Sequence, residues 1–313
     1  MIHWPSYNQS LVRRGEILFS YDFLDNWDAD LARMNENKNG KKYQFPDSFI
    51  FVIGHIRVYF HLPYRQTEGI IKTTVGKNLP DHPCYSQICR RINKLDIDIN
   101  SGIDNDDIVI IIAADSTGIK VTNRGQWMQD KWDIKNKKGY LKIHVAVNIK
   151  TKEILALEVT DEKVHDSKVI KNLVEGVLNN AHNIKIQSFI GDGAYDSNEN
   201  FKYLQKKRIQ PIIKVKRNSI ISSRNNNLRN REVQLQIKDY HKWKKKRKYG
   251  QRWMVETAFS SIKRMFGEYT SAIRFQNMVK EMTMKVSLYN LLEELYKTNK
   301  NNLRKTSYAT EHQ

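Results

Sequence analysis

Cysteine is scarce in this sequence: Cys84 and Cys89 are the two among 313 residues. Two thiols cannot build a disulfide scaffold, and no second pair stands near them to complete a zinc site. A reducing, cytoplasmic setting is therefore expected. Long apolar runs are missing too. None approaches the ~20 residues that cross a bilayer, and Met1-Ile2-His3-Trp4-Pro5 lacks a signal-peptide core, so no membrane role is expected. Internal repeats are absent. Acids are under-represented, at 34 Asp+Glu against 53 Lys+Arg, a net charge of +19. The excess is local. Phe201 to Arg252 holds 18 Lys/Arg and, as acids, Glu232 and Asp239 alone. A positive field this concentrated points to a polyanionic partner such as nucleic acid. For Lys244-Lys245-Lys246-Arg247-Lys248 a solvated basic loop is the alternative.

What is present divides in two. Residues 1 to about 105 read as helical. Leu11 to Met34 is amphipathic, Asn35 to Lys42 is a polar linker, and Phe49 to Phe60 is apolar enough to be a buried helix. Tyr64 to Val75 and Tyr85 to Leu95 read as two helices around a Gly76/Pro80 break. The second carries Arg90, Arg91 and Lys94, as in a helix-turn-helix. Then β-branched residues take over. Ile108 to Ala114 is a buried strand ending at Asp115. Leu141–Val147 and Glu153–Thr160 alternate, which makes a three-stranded antiparallel meander. A helix from Asp166 to Leu178, capped by Asp166 or Ser167, follows. A strand from Ile184 to Ile190 runs into Asp192, a helix covers Ser197–Lys206, and a last strand covers Pro211–Val215. This order predicts an α/β fold, a mixed sheet flanked by helices, with its site at strand ends.

The chemistry centres on Tyr249 to Lys263. Wound as one helix, that stretch puts Tyr249, Arg252, Glu256 and Lys263 within roughly 60° of one another. Val255, Phe259, Ile262 and Phe266 form a separate apolar stripe. One carboxylate among cations suits a metal ligand beside phosphates. Asp115 and Asp192, each closing a strand, supply two more, and three such groups could hold two Mg²⁺ ions. A turn or cap role is the alternative for either aspartate. Packing is the alternative for Tyr249, and an ion pair with Glu256 for Arg252. Asp130, Asp133 and Asp196 are rival carboxylates. Lys142 and His144 share a strand face aimed at DNA or solvent. Trp127 and Trp132, among lysines, could stack on an unpaired base, and His165-Asp166 could be a relay pair.

Tyr249-x2-Arg252-x3-Glu256-x6-Lys263 resembles the Tyr-Arg-Glu-Lys signature of bacterial and archaeal insertion-sequence transposases of the four/five superfamily. Asp115-Ser116-Thr117-Gly118 and Gly191-Asp192-Gly193-Ala194-Tyr195-Asp196 resemble that family's two aspartate motifs. Leu62 to Gly69 and Tyr85 to Asn93 are similar to its five group. The resemblance implies a DDE transposase with a ribonuclease-H-like core. Asp115, Asp192 and Glu256 would be catalytic and would hold two Mg²⁺ ions, with Mn²⁺ as a substitute. Tyr249, Arg252 and Lys263 would bind DNA, joined by Arg90, Arg91, Lys244, Lys245, Lys246 and Arg247. It further implies double-stranded DNA as partner (transposon ends and target), a homodimer in the synapse, and a prokaryotic, nucleoid-associated protein. The expected domains are a helical DNA-binding region at 1–105, a catalytic domain at 106–275 with a basic loop insertion at 217–248, a C-terminal helix at 276–298 and a polar tail at 299–313. A nuclease of the same fold that does not join strands, or an inactive DNA-binding repressor, would share much of this pattern.

Overall fold

A computed structural model describes residues 4–74, 79, 81–99, 109–121, 140–180, 184–221 and 227–310. Trp127, Trp132, Asp130, Asp133, Gly76 and Pro80 lie outside the described residues. The chain divides into a helical unit, residues 1–97 with 274–313, and a sheet unit, residues 98–273.

The helical unit contains α1 (Trp4–Leu18), α2 (Trp27–Asn35), α3 (Asp47–Tyr59), α4 (Tyr64–Thr74) and α5 (Tyr85–Ile92). Phe49, Ile50 and Ile53 of α3 are fully buried, as the run of apolar residues there required. The α5 helix starts in a capping box: the Cys84 backbone N–H donates to Gln87 Oε1 at 3.0 Å, which satisfies a donor that the first turn would leave open.

In the sheet unit β1 (Val109–Val121), β2 (Tyr140–Asn148) and β3 (Ile154–Asp161) form the expected meander. Next come α6 (Ile170–Asn180), β4 (Lys185–Gly191), α7 (Asn198–Lys206) and β5 (Gln210–Ile213). The strand order is β3-β2-β1-β4-β5, with β4 and β5 parallel to their neighbours. This is the ribonuclease-H-like arrangement. Helix α6 closes one face over Ile112, Ala114, Leu155 and Phe189 through Leu173, Val174 and Val177. The remaining elements are α8 (Leu228–Lys238), α9 (Tyr240–Lys246), α10 (Trp253–Phe266), a short β6 (Tyr269–Thr270) and α11 (Phe275–Thr310).

Four expectations change. First, β1 does not end at Asp115. It runs six residues further because β2 pairs with it through Asp115↔Val145 to Lys120↔Tyr140. Its pairing with β4 stops at Ala113↔Ile190 and β6 takes up that edge only at Lys120. Asp115 therefore sits at a gap in the sheet edge. Second, residues 217–248 are not a plain loop. Asn227 caps α8 by accepting from the Asn230 N–H at 2.8 Å, and Asp239 caps α9 by accepting from the Lys242 N–H at 2.8 Å. Both helices pack through buried Val233 and Trp243. Third, α11 continues from Phe275 to Thr310, across the expected polar tail, because no Gly or Pro interrupts it. It clusters with the helical unit. Fourth, Asp166 caps no helix. His165 caps a 3-10 turn at Asp166–Lys168, accepting from the Ser167 N–H at 3.2 Å, and α6 begins only at Ile170.

Candidate active site

Asp115 projects from β1 at the gap in the sheet edge, largely shielded from solvent. Its Oδ1 accepts from the Ser116 N–H at 2.9 Å and its Oδ2 from Arg252 Nη1 at 2.6 Å. Burial raises its pKa above the usual carboxylate range. The Ser116 and Arg252 contacts oppose the rise, and the charges of Asp192 and Asp166 add to it. Asp192 leaves β4 and turns into a short 3-10 turn at Gly193–Tyr195, accepting from the Ala194 N–H at 2.9 Å. Gly191 is required before it: a Cβ there would stand 2.9 Å from the Tyr195 ring. Glu256 lies in the first turn of α10 and is exposed.

Two of the three carboxylates meet through one cation. Arg252 bonds Asp115 with one guanidinium nitrogen and pairs with Glu256 through the other. Burial works against its charge, but Asp115, Tyr249, Glu256 and Asp192 outweigh that and raise its pKa. Among the described residues no three His, Cys, Asp or Glu side chains converge as a metal site. The arginine lies between two of the expected ligands as a resident positive charge. The donors themselves, all carboxylate oxygens, suit a hard divalent cation.

The expected single helix from Tyr249 to Lys263 is divided. Lys248 sits in the left-handed region at φ 51° and Tyr249–Arg252 forms a 3-10 turn before α10. Gly250 is a poor helix former, and the Tyr249 ring is anchored 5.2 Å from that of Trp243. Tyr249 is consequently buried, and burial pushes its hydroxyl pKa up. Arg252 and Glu256 keep the expected i,i+4 relation. Lys263 shares with Asp115, Ser116, Glu256 and Arg264 a cleft of about 560 Å³.

The other basic residues differ in what they touch. Lys244, Lys245 and Lys246 are exposed; Lys244 and Lys245 line a second cleft of about 580 Å³ with Lys248 and the exposed Trp253. Arg247 instead pairs with buried Glu232, which also accepts from Trp243 Nε1 at 2.7 Å. In the helical unit Arg90 is exposed, whereas Arg91 bonds Asp47 Oδ1 at 2.7 Å and the Phe45 carbonyl at 2.9 Å. The rival Asp196 is locked away: Arg229 grips it at 2.6 and 2.8 Å and the Lys216 N–H donates to it at 2.9 Å.

The sequence points to Asp166 only as a helix cap or as the partner of His165, and to Ser116 only within a motif; the structure links both to Asp115. Asp166 is buried after β3, paired with Lys142, and accepts from Ser116 Oγ at 3.0 Å. Ser116 thus ties two aspartates together, its amide to Asp115 and its hydroxyl to Asp166. His144 is fully buried and bonds Thr160 Oγ1 at 2.9 Å. Burial lowers its pKa to about 4, with Asp166 opposing and Lys142 assisting, so its 3.4 Å contact with Asp166 is no ion pair at neutral pH. Tyr195 is also fully buried. Its hydroxyl has no hydrogen-bond partner among the described residues; burial first, then Asp166, Asp115 and Asp192, keeps it protonated. The available signal was Lys142 and His144, two polar residues on one face of an apolar strand, which need a buried partner.

Two models of the transposase DDE domain match this chain, over residues 109–291 and 12–124. Among solved structures, the piggyBac transposase synaptic complex with hairpin DNA is similar at TM-score 0.38 and 8% identity, over 92% of this chain and 75% of that one. The Drosophila P element transposase strand transfer complex is similar at TM-score 0.33 and 10% identity, over 83% and 68%. A simian T-cell lymphotropic virus intasome in complex with PP2A regulatory subunit B56 gamma follows at 0.29 and 11%, over 76% and 65%. Scores this low mark loose likeness only.

Proposed function

The chain belongs to the transposase DDE domain family, and on that footing we propose that it binds the terminal inverted repeats of a transposon, cuts the element ends and joins them to target DNA. The observation that carries this reading is the Asp115–Arg252–Glu256 bridge at the sheet gap.

Asp115, Asp192 and Glu256 would hold Mg²⁺, two ions in the full complex, with Mn²⁺ able to replace it. When bound there, the ions supply positive charge to the attacking and leaving oxygens of an in-line displacement. Arg252 releases its two carboxylates and turns its planar fork to a phosphate of the incoming strand, a geometry that arginine suits better than lysine. Lys263, one wall of the same cleft, holds a second phosphate as a point charge. Tyr249 serves by packing under Arg252. In the first step a water oxygen bonds to phosphorus, the P–O3′ bond breaks, and the departing oxygen gains a proton as a 3′-hydroxyl. In the second that hydroxyl oxygen bonds to a target-strand phosphorus, and the target's own 3′ oxygen leaves with a proton. Lys244, Lys245 and Lys246 track flanking DNA. Helices α4 and α5 form the end-binding module with Arg90, and two copies meet in the synapse.

The test is to incubate the protein with Mg²⁺ or Mn²⁺, a terminal-repeat duplex and a plasmid. Joined products are expected. Cleavage without joining would make it a nuclease, and binding without metal-dependent cleavage a repressor; either result overturns the reading.

A further inference from the structure

Residues 35–42, which read as a polar linker, fold with Tyr43 into a closed loop. Asn35 clamps Tyr43 in both directions: Nδ2 donates to the Tyr43 carbonyl at 3.0 Å and Oδ1 accepts from its N–H at 2.7 Å. Lys42 Nζ ties the loop across its neck, donating to the carbonyls of Asn35 at 2.8 Å and Lys38 at 3.0 Å. The Tyr43 ring meets two cations, the Lys38 ammonium 4.2 Å from its centroid and the Arg91 guanidinium 4.5 Å away. A linker without a role has no need of this construction.

The loop forms one wall of a groove of about 620 Å³, and α5 with the turn after it forms the other. Lys38, Lys41 and Lys42 line the first wall, and Arg90, Arg91 and Lys94 the second. Asp47 is the acid among the lining residues, and Arg91 neutralises it at 2.7 Å. Five cations are left around one concavity, with no further carboxylate among its described lining residues. Such a field is unfavourable until an anion enters it. The cations stand on both walls rather than converging on a point, which suits an extended polyanion over a single small ion.

We infer that this groove docks the sugar–phosphate backbone of duplex DNA. It rests on the reading of the chain as a DNA-binding transposase, and extends it: the 35–43 loop is a DNA-binding element, and Arg91 is its internal brace rather than a contact. Contacts of this kind fix orientation without reading sequence.

The test uses the full chain and the double variant Lys41→Gln/Lys94→Gln, two exposed residues. Affinity for a labelled duplex of arbitrary sequence is measured by fluorescence anisotropy over a series of KCl concentrations, with a thermal melt of each protein. The variant should melt as the wild type does and bind about tenfold more weakly at low salt. The slope of log K against log salt should become shallower by about two, near 0.9 for each phosphate that is no longer neutralised. Equal affinity and an equal slope would overturn the groove while leaving the transposase reading intact. Failure of the wild type to bind duplex would overturn both. Should the double variant melt early, Arg90→Gln alone, on the opposite wall, must shift the slope by about one; no shift overturns the groove.

Discussion

Arg252 reaches Asp115 across 137 residues of sequence, donating from Nη1 to Oδ2 at 2.6 Å. The same guanidinium pairs with Glu256 four residues on. A strand-borne aspartate and a helix-borne glutamate are thereby held together by protein charge alone.

Removing that cation leaves two carboxylates facing each other. Breaking a buried pair costs about 3–5 kcal/mol. With Arg252 24% and Asp115 18% exposed, solvent screening reduces this to about 1–3 kcal/mol. Arg252→Ala should therefore melt several degrees below the wild type in EDTA. Added Mg²⁺ should narrow the gap by supplying the missing positive charge. Melting curves with and without metal check this; a gap that Mg²⁺ leaves unchanged would contradict it.

His144 gives the fold an acid sensitivity. Its pKa is lowered from 6.5 to about 4, so between those values the unfolded chain binds the proton that the folded chain refuses. Its contribution is complete above pH 6.5 and is lost as pH falls toward 4, to a limit of about 3 kcal/mol. His144→Gln should flatten the pH dependence of unfolding across this window, measured by urea denaturation at several pH values. A variant curve parallel to the wild type would refute the assignment.

Ser116 and Asp166 should matter to chemistry through Asp115. Ser116→Ala removes the hydroxyl link to Asp166 and keeps the amide contact to Asp115. A misplaced ligand can cost ~100-fold, so strand cleavage should fall about 10- to 100-fold while DNA affinity stays within about twofold. Ser116→Thr, which retains the hydroxyl, should recover most of the rate. A wild-type cleavage rate in the alanine variant would leave Ser116 no part in the chemistry.

Asp196 separates structure from chemistry. Its carboxylate is fully buried in the grip of Arg229, which is itself 20% exposed, so Asp196→Ala leaves that half-buried guanidinium without its carboxylate and should cost about 1–3 kcal/mol once solvent screening is counted. The expected result is a clear fall in melting temperature. Asp192→Asn, whose carboxylate serves one N–H of a short turn, should melt near the wild type.

Much of this was legible in residue patterns. The meander, the crossover order and the buried α3 helix followed from periodicity, because one buried face fixes strand register. The i,i+4 spacing of Arg252 and Glu256 survived for the same reason: local geometry is set by local sequence. What stayed hidden depended on distant partners. The length of β1 beyond Asp115 is set by β2. The inward turn of Asp166 is set by Lys142 and Ser116. Tyr249 was drawn onto an imagined helix face, but Trp243 and Gly250 made it a packing residue. Arg91 and Arg247 counted as surface charge until Asp47 and Glu232 proved to be their partners. The 35–42 stretch looked like a linker because a single Asn–Tyr clamp leaves no periodic trace.

The proposed chemistry requires Asp115, Asp192 and Glu256 to act together on a phosphodiester. An assay of Asp115→Asn, Asp192→Asn and Glu256→Gln side by side probes that requirement, scoring terminal-repeat DNA binding, cleavage and joining with Mg²⁺ and with Mn²⁺. All three should bind that DNA and neither cleave nor join it. Wild-type cleavage in any one of them would contradict the joint role.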